Sequence, residues 1–109
     1  MKNARQRAQI NRAEMLERRN DGDLAFVLSD ARGRRFLWRE LGRCGLHAQT
    51  YSPNNSEHCF KAGERNAAIR LNLDVIRVSP EMYLLMQQEA MAEDEQNQLI
   101  DQQETEDDD

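Results

Sequence analysis

Four side chains able to bind a metal or act as nucleophile and base bracket one polar stretch: Cys44 and His47 before it, His58 and Cys59 after it. Zinc sites pair ligands two to four residues apart on each side. The first pair has that spacing, but adjacent residues such as His58 and Cys59 point about 100° apart on a helix and rarely share an ion. As a Cys and His nucleophile pair they lack a group to orient the base and a recognisable oxyanion donor. Cys44 and Cys59 therefore read as buried free thiols. The phosphate-cradling patterns G-x-x-x-x-G-K-[ST] and G-x-G-x-x-G are missing, and the clustered carboxylates stand in a polar setting that would not raise a pKa. The expectation is a non-enzymatic protein with no metal, cofactor or small-molecule substrate.

The arginines beside apolar positions carry more information. Arg34, Arg35, Arg39 and Arg43 recur along one segment, Arg65 stands on another, and Glu40 and Glu64 lie among them. In one reading Arg34 or Arg35 pairs with Glu64 and Arg65 with Glu40, tying two helices together. In the other these arginines form a basic face that meets a partner subunit or a phosphate backbone, since guanidinium suits both. Trp38 is expected to anchor the core or an interface. Met82, Met86 and Met91 fall at helical spacing and read as core or a docking face.

The elements that position these residues read as helices. Residues 2–19 hold Ala4, Ala8, Ile10, Ala13, Met15 and Leu16 among strong helix formers, a thin apolar face. Asn20, Asp21, Gly22 and Asp23 predict a turn or a helix start, followed by a short helix from Leu24 to about Ala31. Ser29 or Asp30 caps the next helix, about Arg32 to Arg43, with Leu37, Leu41 and Cys44 on one face and Gly42 and Gly45 ending it. Leu46 to Ser56, with Pro53 and paired asparagines, predicts a loop packed down by Tyr51.

Asn54, Asn55 or Ser56 caps a long helix, Asn54 with Glu57 having capping-box spacing. Its apolar residues form two stripes, Phe60, Ala67, Leu71, Val75 and Val78 on one side and Ile69, Leu73 and Ile76 on another, which predicts a place at the bundle centre. Gly63, Ala67 and Ala68 would permit close approach of a neighbouring helix. Ser79 and Pro80 start a last helix with Met82, Tyr83, Leu85 and Met86 inward. After Met91 the apolar pattern dissolves. No strand pattern and no internal repeat is visible, so the fold class is all-α, a small bundle of three to five helices.

With 109 residues, 39% of them hydrophobic, the chain can build one thin core, and any long extension must be solvated or bound. Its apolar runs are far too short to span a membrane, and two cysteines suit a reduced compartment. The net charge of −5 conceals a polarity. Residues 1–19 carry six basic and two acidic groups, residues 89–109 carry ten acidic groups and no basic one, and the middle has nine basic and eight acidic groups. The organisation expected is a basic helical arm (1–20) with Arg5, Arg7 and Arg12, a helical core domain (21–91), and an acidic, partly disordered tail (92–109). The arm lacks interleaved aromatics that would stack on bases.

Gly33, Arg34, Phe36, Leu37, Trp38, Leu41, Cys44 and Gly45, a polar loop with an aromatic, and then Phe60, Gly63, Arg65 and Asn66 at the head of a long helix form a moderately specific pattern. It resembles a family of small helical proteins of tailed bacteriophages, of the Bordetella-phage type, over residues 24 to about 88. The resemblance implies a conserved phage, virion-associated or morphogenesis protein, and assigns no catalytic or binding residue.

The expected function is therefore a structural or assembly role through protein contacts, in the virion or in the host cytoplasm during assembly. Other phage structural proteins are the first partners, with a second copy of the chain and DNA as further candidates, and no membrane. Two alternatives are a nucleic-acid-binding accessory protein whose arm and arginine helix grip phosphates under autoinhibition by the tail, and an acidic inhibitor of a host nucleic-acid-binding enzyme.

Overall fold

The computed structural model describes residues 3–48 and 52–108, which leaves the expected role of Tyr51 outside the described residues. These form four α-helices and no strand: α1 (Ala4–Leu28), α2 (Ala31–Arg43), α3 (Asn55–Val78) and α4 (Pro80–Asp107). The all-α expectation holds, and most boundaries follow the local signals. Asp30 caps α2, its Oδ1 accepting from the Arg32 amide at 2.8 Å. Gly45, at φ 82, ends it: the amides of Gly45 and Leu46 donate back to the Gly42 and Leu41 carbonyls, a left-handed turn that suits glycine. Asn54 caps α3 by accepting from the Glu57 amide at 3.0 Å. The reciprocal half of the box is diverted, because the Glu57 carboxylate turns to Lys61 and Ser52, which hold its pKa below the ordinary range. Ser79 caps α4, with Pro80 at its first turn.

Two helices outrun their sequence signals. α1 continues through Asn20–Asp23 instead of turning, and no separate helix begins at Leu24. Gly22 weakens the helix there by about 1 kcal/mol, but tertiary contacts on either side outweigh it. Arg77 of α3 grips Asp21 with two bonds of 2.9 Å, which lower the Asp21 pKa despite opposing desolvation, and Leu24 and Leu28 dock on the core. α4 continues past Met91 to Asp107 although every residue from 91 to 108 is exposed. Glu, Gln, Ala and Leu are strong helix formers, so loss of apolar periodicity ends burial without ending the helix.

The core is small. Leu28, Leu37, Leu41, Ala68, Val75 and Met86 are its buried hydrophobic residues, with Leu24, Trp38, Leu46, Leu71 and Tyr83 packed around them. α3 does not occupy the centre of a bundle: Phe60, Ala67 and Leu73 face solvent, and its inner stripe runs Arg65, Ala68, Asn72 and Val75. The close-approach glycine is likewise not Gly63, which has open space around it, but Gly33, where an added Cβ would overlap the Val27 carbonyl. Gly33 lets the start of α2 seat against the last turn of α1.

The Cα envelope measures 77 × 39 × 15 Å with a radius of gyration of 19.9 Å, against about 13 Å for a compact chain of this length. No single helix accounts for the long axis, since α4, the longest, spans about 42 Å. Arg77, just before α4 starts, meets Asp21, whereas Glu89 meets α2 beside Leu28. α1 and the first half of α4 therefore run the same way along the core, and their free halves leave from opposite ends.

Two outcomes test this packing. In urea unfolding followed by Trp38 fluorescence, Gly33→Ala should cost about 1–3 kcal/mol by overpacking, whereas Gly22→Ala should add about 0.5–1 kcal/mol. Arg32 donates to Asp30 from its side chain and then its amide, holding that carboxyl at about 2 against an ordinary 3.8. A depressed carboxyl contributes stability above pH 4 that is lost as the pH falls towards 2. The stability gap between the native chain and Asp30→Ala should close over that interval.

Candidate interaction surfaces

Arg34 sits where α1, α2 and α4 meet, with only 8% of its surface exposed. Its Nε donates to Glu89 Oε1 at 2.6 Å and its Nη2 to Oε2 at 3.3 Å, while Nη1 donates to the Leu28 carbonyl at 2.8 Å. The last carbonyls of a helix have no partner within it, so one guanidinium satisfies the end of α1 and clamps α4. The bonds it donates to Glu89 push the Arg34 pKa up against the opposing effect of burial. The expected pairing with Glu64 is not made, because this face of α2 packs on α4 rather than α3. Arg34 is thus a structural tie and is withdrawn from any exposed basic face.

The other predicted arginines divide. Arg35, Arg39 and Arg43 are exposed and follow one another at four-residue spacing along the outer side of α2, a basic ridge beside Phe36. The Arg39 guanidinium lies 5.3 Å from the Phe36 ring centre. Glu40 pairs with Arg39 at 3.6 Å and Arg43 at 3.2 Å, not with Arg65. Arg65 is half-buried, and its Nε is enclosed without a hydrogen-bond partner among the described residues. Trp38 is half-buried against the core and tilts over His47, ring centres 5.9 Å apart. Cys44 is half-buried and Cys59 is exposed, so neither is the fully buried thiol expected. Among the described residues no three His, Cys, Asp or Glu side chains gather to hold a metal.

The free halves of α1 and α4 form the remaining surfaces. Every described residue up to Asn20 is exposed, so Arg5, Arg7 and Arg12 all project into solvent. An open groove of about 570 Å³ lies between α2 and α4, with Trp38, Met86 and Ala90 in it and Arg35 and Glu93 at its sides, and it continues along α4 to Ile100. Composition hid this groove, because Glu89 and the residues after it read as one acidic run. The signal that could have found it is spacing: Met86, Ala90, Glu93, Asn97 and Ile100 recur every three or four residues on one face.

The tie at Arg34 predicts an asymmetry. Glu89→Ala leaves a buried guanidinium without its counter-charge and should cost about 2–3 kcal/mol, less than the loss of a fully buried partner because Glu89 is itself half-exposed. Glu40→Ala removes surface pairs only and should cost under about 1 kcal/mol in the same urea titration.

Among the described residues no helix is long and apolar enough to cross a membrane. No curated protein and no solved structure matches the chain. Residues 24–88 match the model of the Bbp19-like phage proteins. The matched stretch spans the last turns of α1, the cap at Asp30, the Gly33 seat, the core residues of all four helices and the first turns of α4, and it stops one residue before Glu89. The chain belongs to the Bbp19-like phage protein family.

Proposed function

We propose that this phage protein is a non-enzymatic structural or assembly component of the virion that works through protein–protein contacts. One observation carries the reading: the surface is far too large for a protein that works alone. The accessible area is 8937 Å², against about 6,200 Å² for a compact chain of this mass. The excess includes large apolar side chains, among them Phe26 (78% exposed), Phe60 (69%), Leu99 (65%) and Met91 (63%). Apolar surface of this extent on a charged scaffold is the mark of a chain whose burial is completed by partners.

A second reading draws on the ridge of Arg35, Arg39 and Arg43 and on the arginines of α1, which together suit a phosphate backbone. Autoinhibition by the acidic end of the same chain is disfavoured, since the two free halves leave from opposite ends of the core.

Quantitative mass spectrometry of purified particles, intact and after DNA release, tests the main reading. The expected result is a fixed ratio to the capsid protein in both samples. Absence from both would overturn a virion role. DNA binding that weakens steeply with salt would favour the second reading, since each neutralised phosphate releases counterions.

A further inference from the structure

We infer that the protein forms a twofold dimer in which the free half of α1 in each copy lies antiparallel against the free half of α4 in the other. This deepens the assembly reading by naming one partner, a second copy of the chain, and it rests on that reading for its biological use.

Charge comes first. The free half of α1 presents Arg5, Arg7, Arg12, Arg18 and Arg19. Among these a side-chain ion pair forms at Arg18, with Glu14 at a loose 3.9 Å. The free half of α4 carries no basic residue, and Glu93, Asp94, Glu95, Asp101, Glu104 and Glu106 all face solvent. A free half of net +3 (residues 4–20) and one of net −7 (residues 91–107) that cannot reach one another within one chain are complementary between chains.

Geometry supplies the register. Each free half is about 25 Å long, and the two leave the core at opposite ends. A second copy turned end over end and laid alongside therefore places its α1 arm beside the α4 arm of the first, with the two cores level. Residue 20 then lies opposite residue 91, and residue 4 opposite residue 107. This alignment brings Arg18 to Glu93 and Arg7 to Glu104, with Ile10 beside Ile100.

The same residues share faces. Arg7, Ile10, Glu14 and Arg18 recur every three or four residues along α1, and Glu93, Asn97, Ile100 and Glu104 do so along α4. Glu93 and Ile100 also line the groove beside α2, so the arriving arm enters a concave seat rather than a bare helix. Ile10 and Ile100 are 36% and 46% exposed in the single chain and would be covered.

Area agrees with the arrangement. A specific interface removes about 800 Å² from each partner in all, shared here between the two reciprocal contacts. The chain exceeds a compact protein of its mass by roughly 2,700 Å², which leaves ample surface for such an interface. Twofold closure is also the commonest oligomer symmetry, and it satisfies both arms in a single complex.

Sedimentation equilibrium of the full-length protein tests the dimer. The native chain should show twice the monomer mass at low salt, without growth at higher concentration, and should dissociate as salt is raised. Arg7→Glu with Arg18→Glu, or Glu93→Arg with Glu104→Arg, should weaken the dimer by at least about a hundredfold while far-UV circular dichroism stays unchanged. The variant carrying all four reversals should dimerise again, a rescue that damage to the fold would not produce. A native chain that stays monomeric, association growing beyond two copies, or failure of the fourfold variant to recover would each overturn the inference. A monomer that is nevertheless present in particles would remove the dimer and leave the assembly reading intact, and a dimer absent from particles would do the reverse.

Discussion

The guanidinium of Arg34 is the constraint on which the other contacts depend. Among the described residues only six hydrophobic side chains are buried, too few to set the mutual angles of the four helices by packing alone. Arg34 adds direction. Its bond to the Leu28 carbonyl fixes where α1 ends relative to α2, and its two bonds to Glu89 fix how α4 crosses the same point. A fork of rigid donors suits this use, since a lysine could not address a carbonyl and a carboxylate at once with defined geometry. Gly33, next to it, removes the side chain that would hold α2 away from the Val27 carbonyl. The sharp α1–α2 corner therefore depends on two adjacent residues, one giving room and the other giving bonds.

From that corner follows the unusual shape. Because the core is confined to the last turns of α1, the length of α2, the middle of α3 and the first half of α4, both outer helices run on into solvent. Their persistence as helices comes from different sources. α1 is held at its base by Asp21 and Arg77, and at its tip by a capping box in which Asn3 and Gln6 exchange bonds of 2.8 and 3.0 Å. α4 relies on intrinsic propensity, with no basic residue in its last turn to offset the helix dipole. Projections stabilised so weakly by their own chain gain from docking, and their opposite charges make the two of them suitable for each other.

The family match stops one residue before Glu89, so it covers Arg34 without its carboxylate partner. The part of the chain that carries family identity is thus the part with a core, and the two projecting halves lie outside it. What the shared stretch provides is a small rigid platform. What the free helices add is charge, length and a direction in which to use them.

Sequence by itself determined the all-helical class, the charge polarity, the cap at Ser79 and the stop at Gly45, and it narrowed the other caps to Ser29 or Asp30 and to Asn54, Asn55 or Ser56. Caps and stops depend on groups within four or five residues of one another, which spacing reveals. It also carried the family pattern, whose Gly33 and Arg34 are the two residues of the corner. Tertiary structure decided the rest. Through Arg77 and the core it kept α1 whole across Asn20–Asp23, against a local preference for a turn. It gave Arg34 to Glu89, fifty-five residues away, when nearer carboxylates were available. It also turned Phe60, Ala67 and Leu73 outward, because the inner face of α3 is set by the helices beside it rather than by its own apolar stripes. Pairing over such separations depends on which helix faces meet, and helical periodicity cannot specify that when the apolar stripes are broad and the core is small.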